Sequence, residues 1–181
     1  LSEWLWVEVA RVGKVYRQKY HRGVSVKDLK VIGRRKTTGT KVCFLPDSEI
    51  FKRRKFSFEI LAERLRELAF LNKELKISIK DQNNGKEQQF RYKGGVVEFV
   101  EYLDQDRDTI TKKPLYIADE RDDIPVEIAL SYTDTYNENT YSYVNNIHTI
   151  EGGSHVSGFK TALTRTLNTF ASKNKLLKND E

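Results

Sequence analysis

Residues 151–170 read EGGSHVSGFKTALTRTLNTF, a helix-forming stretch that opens on two glycines, a serine and a histidine. Gly-rich backbone at a helix N-terminus can aim free N–H groups at a phosphate. The phosphate loop of nucleoside-triphosphate enzymes needs Lys followed by Ser or Thr directly after its second glycine, and the dinucleotide fingerprint needs a third glycine at a fixed offset. Neither pattern is present here. The spacing therefore predicts ordinary capping: Ser154 bonds a first-turn N–H, and the glycines let the chain turn sharply into the helix. Cys43 is the single cysteine, which excludes an intrachain disulfide, and His21, His148 and His155 do not stand at metal-ligand spacing. No structural zinc site is expected.

The charge is unevenly placed. Residues 1–56 carry 15 Lys and Arg against 5 Asp and Glu, whereas residues 98–138 carry 4 against 12. A positive concentration of that size raises the expectation of a nucleic-acid or phosphate partner, although without interleaved aromatics in an RNA-binding pattern charge alone specifies little. The 181 residues, 38% hydrophobic, suffice for one large domain or two small ones with a real core. Apolar runs of a few residues fall far short of the ~20 that cross a bilayer, so no membrane partner is expected and the reading is soluble and cytoplasmic. An opening Leu, the absence of methionine and the polar end KNKLLKNDE predict a piece of something longer.

Hydrophobic periodicity supplies the elements that must position these residues. Trp4 to Tyr20 alternates apolar and polar residues about Gly13, a hairpin signal, and Thr40 to Pro46 reads as another strand. Phe58, Leu61, Leu65 and Leu68 fall at helical spacing within a helix expected over 56–72, with Ser57 as N-cap, and this helix must pack on the strands. Leu75 to Tyr92 reads as two strands joined at Asn84-Gly85. Gly94-Gly95 then opens a short helix carrying Val97, Val100 and Leu103. IPVEIALSYTD and NTYSYVNNI read as long strands, followed by a helix from Ser154 to about Lys173. The second half is thus expected as strand, strand, helix, and the whole as α+β in two units meeting near Gly94.

The segments KTTGTKVCFLPDSEIF, LAERLRELAFLNKELKI, FRYKGGVVEFVEYL and NTYSYVNNIHTIEGGSHVSGFKTALTRTLN resemble, in order and spacing, the B-subunit family of bacterial DNA gyrase, a type II topoisomerase. The resemblance implies that residues 1–94 are the C-terminal part of a GHKL-type (Bergerat) ATPase domain. It implies that residues 95–181 are the N-terminal part of a transducer domain with a ribosomal-protein-like β-α fold. It further implies an ATP- and Mg2+-dependent parent enzyme that passes one DNA duplex through another and alters supercoiling, with DNA and the gyrase A protein as partners in a heterotetramer. The topoisomerase IV counterpart shares that architecture and is the nearest alternative. A stand-alone nucleic-acid-binding or interaction module is the alternative from another class.

The family's catalytic glutamate, Mg-binding asparagine, Asp-Gly adenine motif, Gly-rich lid and switch lysine have no counterpart in this sequence, so the chain alone is expected to be noncatalytic and to hold neither ATP nor metal. What the resemblance leaves of the pocket is one wall: Thr40 and Val42 on a strand, and Arg11 at the hairpin mouth. Each has a plainer reading. Thr40 could be a strand residue whose hydroxyl bonds the backbone, and Arg11 a solvated charge; Val42 is expected to be core-like on either reading, because it shares a face with Thr40 and Phe44. In the family the position of Arg11 rims the pocket and meets inhibitors more than ATP. Lys160 and Arg165 on the last helix read as solvated, with a DNA-facing role as the other possibility.

Overall fold

The computed structural model describes residues 1–176, and the chain divides into two compact units, the first spanning 1–57 and the second beginning at Phe58. The first unit is an antiparallel sheet built from β1 (Ser2–Arg11), β2 (Lys14–His21), β3 (Val24–Ser25), β4 (Lys30–Arg34) and β5 (Gly39–Pro46). Its order is β3-β2-β1-β5, with β4 also pairing to β2. Alternating β-branched and aromatic residues favour these pleated strands, and the Val12-Gly13 turn, both residues at positive φ, closes the β1–β2 hairpin expected from the sequence.

Two kinds of contact hold this sheet. On one face, the Arg17 guanidinium and the Lys41 ammonium lie 5.1 and 5.3 Å from the ring centre of Trp6, and Arg17 Nε donates to Glu8 Oε1 at 2.7 Å. The cations cover the indole with their stems while keeping their heads wet. At the end of the sheet away from the hairpin turn, Arg22 Nε meets the buried Asp47 carboxylate at 2.9 Å and its terminal nitrogen reaches Glu49 at 2.6 Å. The hydrogen bond to Glu49 is the main cause holding the Arg22 pKa above its ordinary value, with the two carboxylate charges adding to it.

The second unit comprises α1 (Phe58–Leu71), β6 (Ile77–Lys80), β7 (Glu87–Phe90), α2 (Val96–Leu103), β8 (Leu115–Arg121), β9 (Ile124–Leu130), β10 (Tyr143–Val144), β11 (Ile147–His148) and α3 (Ser154–Lys173). Phe58, Ala62 and Ala69 of α1 bury against Phe90 of the β6–β7 hairpin, with Leu65, Ile77, Ile79 and Tyr92 around them. From this core a line of rings runs through the unit. Phe70, 1% exposed, stacks on Tyr92 at 3.6 Å and Phe99 at 5.0 Å, and Phe99 meets Tyr141 and Tyr143, which flank His148. Polar ties reinforce the line, because Arg64 of α1 donates to the Asn146 carbonyl at 2.6 Å and Asn146 donates to Asn72 at 3.1 Å.

Several expectations are corrected. NTYSYVNNI is not one long strand but two short ones, β10 and β11, because Asn145 and Asn146 take φ of 49° and 64° and reverse the chain in two residues. Asp122 and Asp123, at 53° and 61°, make an equivalent turn that joins β9 to an unforeseen strand, β8. β3 and β4 were likewise not expected. Ser154 does not cap α3: Gly153 stands at the N-cap with φ 155°, no side chain caps it, and its carbonyl accepts from the N–H groups of Val156 and Ser157. The glycines do make the turn, since a Cβ at Gly153 would lie 2.9 Å from the His155 ring.

Candidate functional site

Strand register places the three candidate site residues. Val9 faces Thr40 and Val7 faces Val42 across the β1–β5 ladder, and Arg11 follows Val9 by two residues. Directly paired residues, and residues two apart on one strand, share a face. Thr40, Val42 and Arg11 therefore lie on the same side of the sheet, together with Leu5, Val7, Val9 and Phe44, and with Tyr16 and Tyr20 opposite Val9 and Leu5. This is the side opposite the Trp6 cation cluster. Phe56 covers part of it, its ring edge-on to Phe44 at 6.3 Å.

The rest of this face is open: Val42 is 53% exposed, and Thr40 and Arg11 are exposed. Val42 is accordingly not the core residue expected from the sequence, because beyond Phe56 nothing in this unit covers its side of the sheet. Among the described residues the Thr40 hydroxyl makes no hydrogen bond to the protein, so the backbone-bonded alternative does not hold either. The arrangement is a largely apolar floor across β5, β1 and β2, with the free Thr40 hydroxyl on it and the Arg11 guanidinium at its edge. Chemically it can take the flat side of a planar ring, offer one directional hydrogen bond, and attract an anion at the rim. Val7, Val9 and Tyr16 complete the floor and were missed. The alternation in LWVEVAR carries the signal of Val7 and Val9, and that in KVYRQKY the signal of Tyr16, but which strand each faces depends on register.

In the second unit Lys160 and Arg165 lie on the exposed side of α3, where Lys160 forms an ion pair with Glu138. That hydrogen bond is the main cause holding the Glu138 carboxyl below its usual range. Among the described residues no three His, Cys, Asp or Glu side chains converge as a metal site, and no helix is long and apolar enough to span a membrane.

This mixed α/β architecture resembles that of solved B-subunit structures of type II topoisomerases. The 43K ATPase domain of Thermus thermophilus gyrase B, solved in complex with an aminocoumarin, superposes with a TM-score of 0.84 at 39% identity, covering all of this chain and 50% of that one. The B-subunit of the DNA gyrase from Myxococcus xanthus, at 24% identity, shares the fold with a TM-score of 0.85 over 95% of this chain and 51% of its own. Over its full length the chain is 50% identical to the DNA gyrase B protein of Halalkalibacterium halodurans and 49% identical to that of Streptococcus pneumoniae, and it spans 29% and 28% of their lengths. The DNA gyrase B family model matches residues 95–181. The chain belongs to the DNA gyrase B family. The topoisomerase IV reading is not favoured.

Proposed function

We propose that this chain forms part of an ATP-driven DNA topoisomerase that couples nucleotide hydrolysis to passage of one duplex through another, working with DNA and a gyrase A protein in the cytoplasm. Residues 1–94 are the later part of its ATPase domain and residues 95–181 the start of the transducer, a division supported by the family match beginning at Gly95. The observation that carries the nucleotide reading is the free Thr40 hydroxyl on an apolar sheet face that also bears Val42 and Arg11. That surface fits the flat side of an adenine with one hydrogen bond from Thr40, Val42 beneath the ring, and Arg11 at the rim. Among the described residues there is no comparable set for Mg2+, so no ligand to the metal is assigned. Phosphoryl transfer depends on a complete set of positioning and charge-stabilising groups, so the activity belongs to the longer protein.

The test is plasmid supercoiling by the longer protein with its gyrase A partner, with and without ATP. ATP-dependent change of linking number supports the reading, and its absence overturns it. The 181-residue chain alone is expected to show no ATP binding by calorimetry.

A further inference from the structure

The first unit holds 15 Lys and Arg against 5 Asp and Glu. Four of those five acids are engaged by only three cations, Arg17, Arg22 and Arg54. The two faces of the sheet handle the remaining positive charge differently. On the Trp6 face the cross-strand row runs Lys30, Arg17, Glu8, Lys41, with an acid inside it. On the other face, at the hairpin-turn end, Arg11 stands opposite Lys14 and Lys14 opposite Arg34. Among the described residues none of these three has a carboxylate partner. Arg35 follows directly, its N–H bonded to the Gly13 carbonyl at 3.2 Å, and Lys36 comes next, both exposed.

Like charges directly opposite on neighbouring strands destabilise a sheet. Three in a row with no compensating acid are a cost to the fold that an external polyanion would offset. Two strand spacings make the row roughly 10 Å long. A duplex strand carries one phosphate per ~3.4 Å of axis, so the row spans about three phosphates. We propose that Arg11, Lys14 and Arg34, extended by Arg35 and Lys36, form a docking surface for the phosphate backbone of duplex DNA. Contacts of this kind read charge and spacing, not bases, so binding is weak, sequence-independent and steeply salt-dependent. The DNA partner rests on the function proposed above, whereas the site itself rests on strand register and charge.

The experiment titrates the 181-residue chain with a labelled mixed-sequence DNA duplex at several salt concentrations. Lys14→Gln with Arg34→Gln should flatten the slope of log K against log salt by about 1.8, or ~0.9 for each phosphate contact removed. Lys112→Gln with Lys113→Gln, which removes equal charge from the second unit, should leave the slope unchanged. Arg35→Gln with Lys36→Gln, outside the paired strands, should also flatten it and serves should the first variant fold poorly. Equal flattening by the Lys112/Lys113 variant overturns the proposal in favour of a net-charge effect. Unchanged slopes in both row variants also overturn it, as does a loss confined to nucleotide affinity in the longer protein. The two readings fail separately. If the row is wrong, the slope differences vanish while ATP-dependent supercoiling stands; if the function is wrong, supercoiling is absent while the slope differences stand.

Discussion

Thr40 and Tyr143 are both hydroxyl-bearing residues without a hydrogen-bond partner, and their surroundings give them opposite roles. Thr40 is exposed on an open apolar face, where its hydroxyl costs nothing because water can reach it. Thr40→Val removes one hydrogen-bonding group and keeps the β-branched shape that suits a strand. If the hydroxyl meets a nucleotide, the loss is about 0.5–1.5 kcal/mol, so the ATP dissociation constant of the longer protein should rise roughly two- to twelve-fold with an unchanged melting temperature. A changed melting temperature with unchanged affinity would remove Thr40 from the site. Tyr143 is the reverse case. Its hydroxyl is buried and unpartnered although the Glu67 carboxylate faces it, and burial, followed by that charge, pushes its pKa up to about 12. Tyr143→Phe takes away a desolvated polar atom and keeps the ring beside Phe99 and His148. Urea unfolding should show the variant as stable as the parent, or more stable by up to about 1 kcal/mol.

The α2 element shows how a helix start can be specified by backbone conformation. Gly95 is its N-cap at φ 63°, where no side chain caps it, and Glu98 reaches back so that its carboxylate accepts from the N–H groups of Lys93 and Gly94 at 3.1 and 2.9 Å. The acid thereby satisfies two donors at the positive end of the helix. A Cβ at Gly95 would also lie 2.3 Å from Lys73 Cε, which is the flexible part of a side chain and can move, so the backbone strain remains as the main penalty. Gly95→Ala should destabilise the chain by about 1–2 kcal/mol, read as a lower urea midpoint at unchanged slope. No loss of stability would show that the left-handed conformation is not required. The GG pair was legible in the sequence as the opening of a helix. The Asn145-Asn146 reversal was not, because alternation continues through both short strands and conceals a turn that only the φ values reveal.

Within the second unit, Lys73 and Glu127 join the segment after α1 to β9 at 2.9 Å, and Tyr116 donates to the same carboxylate oxygen at 2.9 Å. The Lys73 hydrogen bond is the main cause lowering the Glu127 pKa from 4.5, and the bond to Glu127 is the main cause raising the Lys73 pKa from 10.5. The signs define a window. The depressed carboxyl contributes stability above its unfolded value and loses it as pH falls through the folded value, while the raised ammonium contributes below 10.5 and loses it as pH rises through its own folded value. Both groups are more than a third exposed, so the pair contributes under about 1 kcal/mol. Lys73→Gln should therefore be slightly less stable than the parent near neutral pH. That difference should shrink as pH falls below 4.5 and through the depressed folded value of Glu127, as measured by urea unfolding across pH. A constant difference at all pH values would show that packing, not charge, accounts for it.

The sequence by itself determined the elements with strong local signals: the β1–β2 hairpin, the helical period of α1, the presence of the β6–β7 hairpin and the span of α3, whereas the link expected at Asn84-Gly85 is instead the six-residue loop 81–86. It also determined, through the order and spacing of whole segments, the family to which the chain belongs. These are properties of neighbouring residues, where a period of about 2 or 3.6 and a turn residue suffice. Tertiary structure decided what pairs with what. That Thr40, Val42 and Arg11 share one face, that Val9 and Val7 stand opposite Thr40 and Val42, and that Arg11, Lys14 and Arg34 align without an acid all follow from register. Register is set by non-local pairing, and a slip of one residue would move every side chain of a strand to the other face.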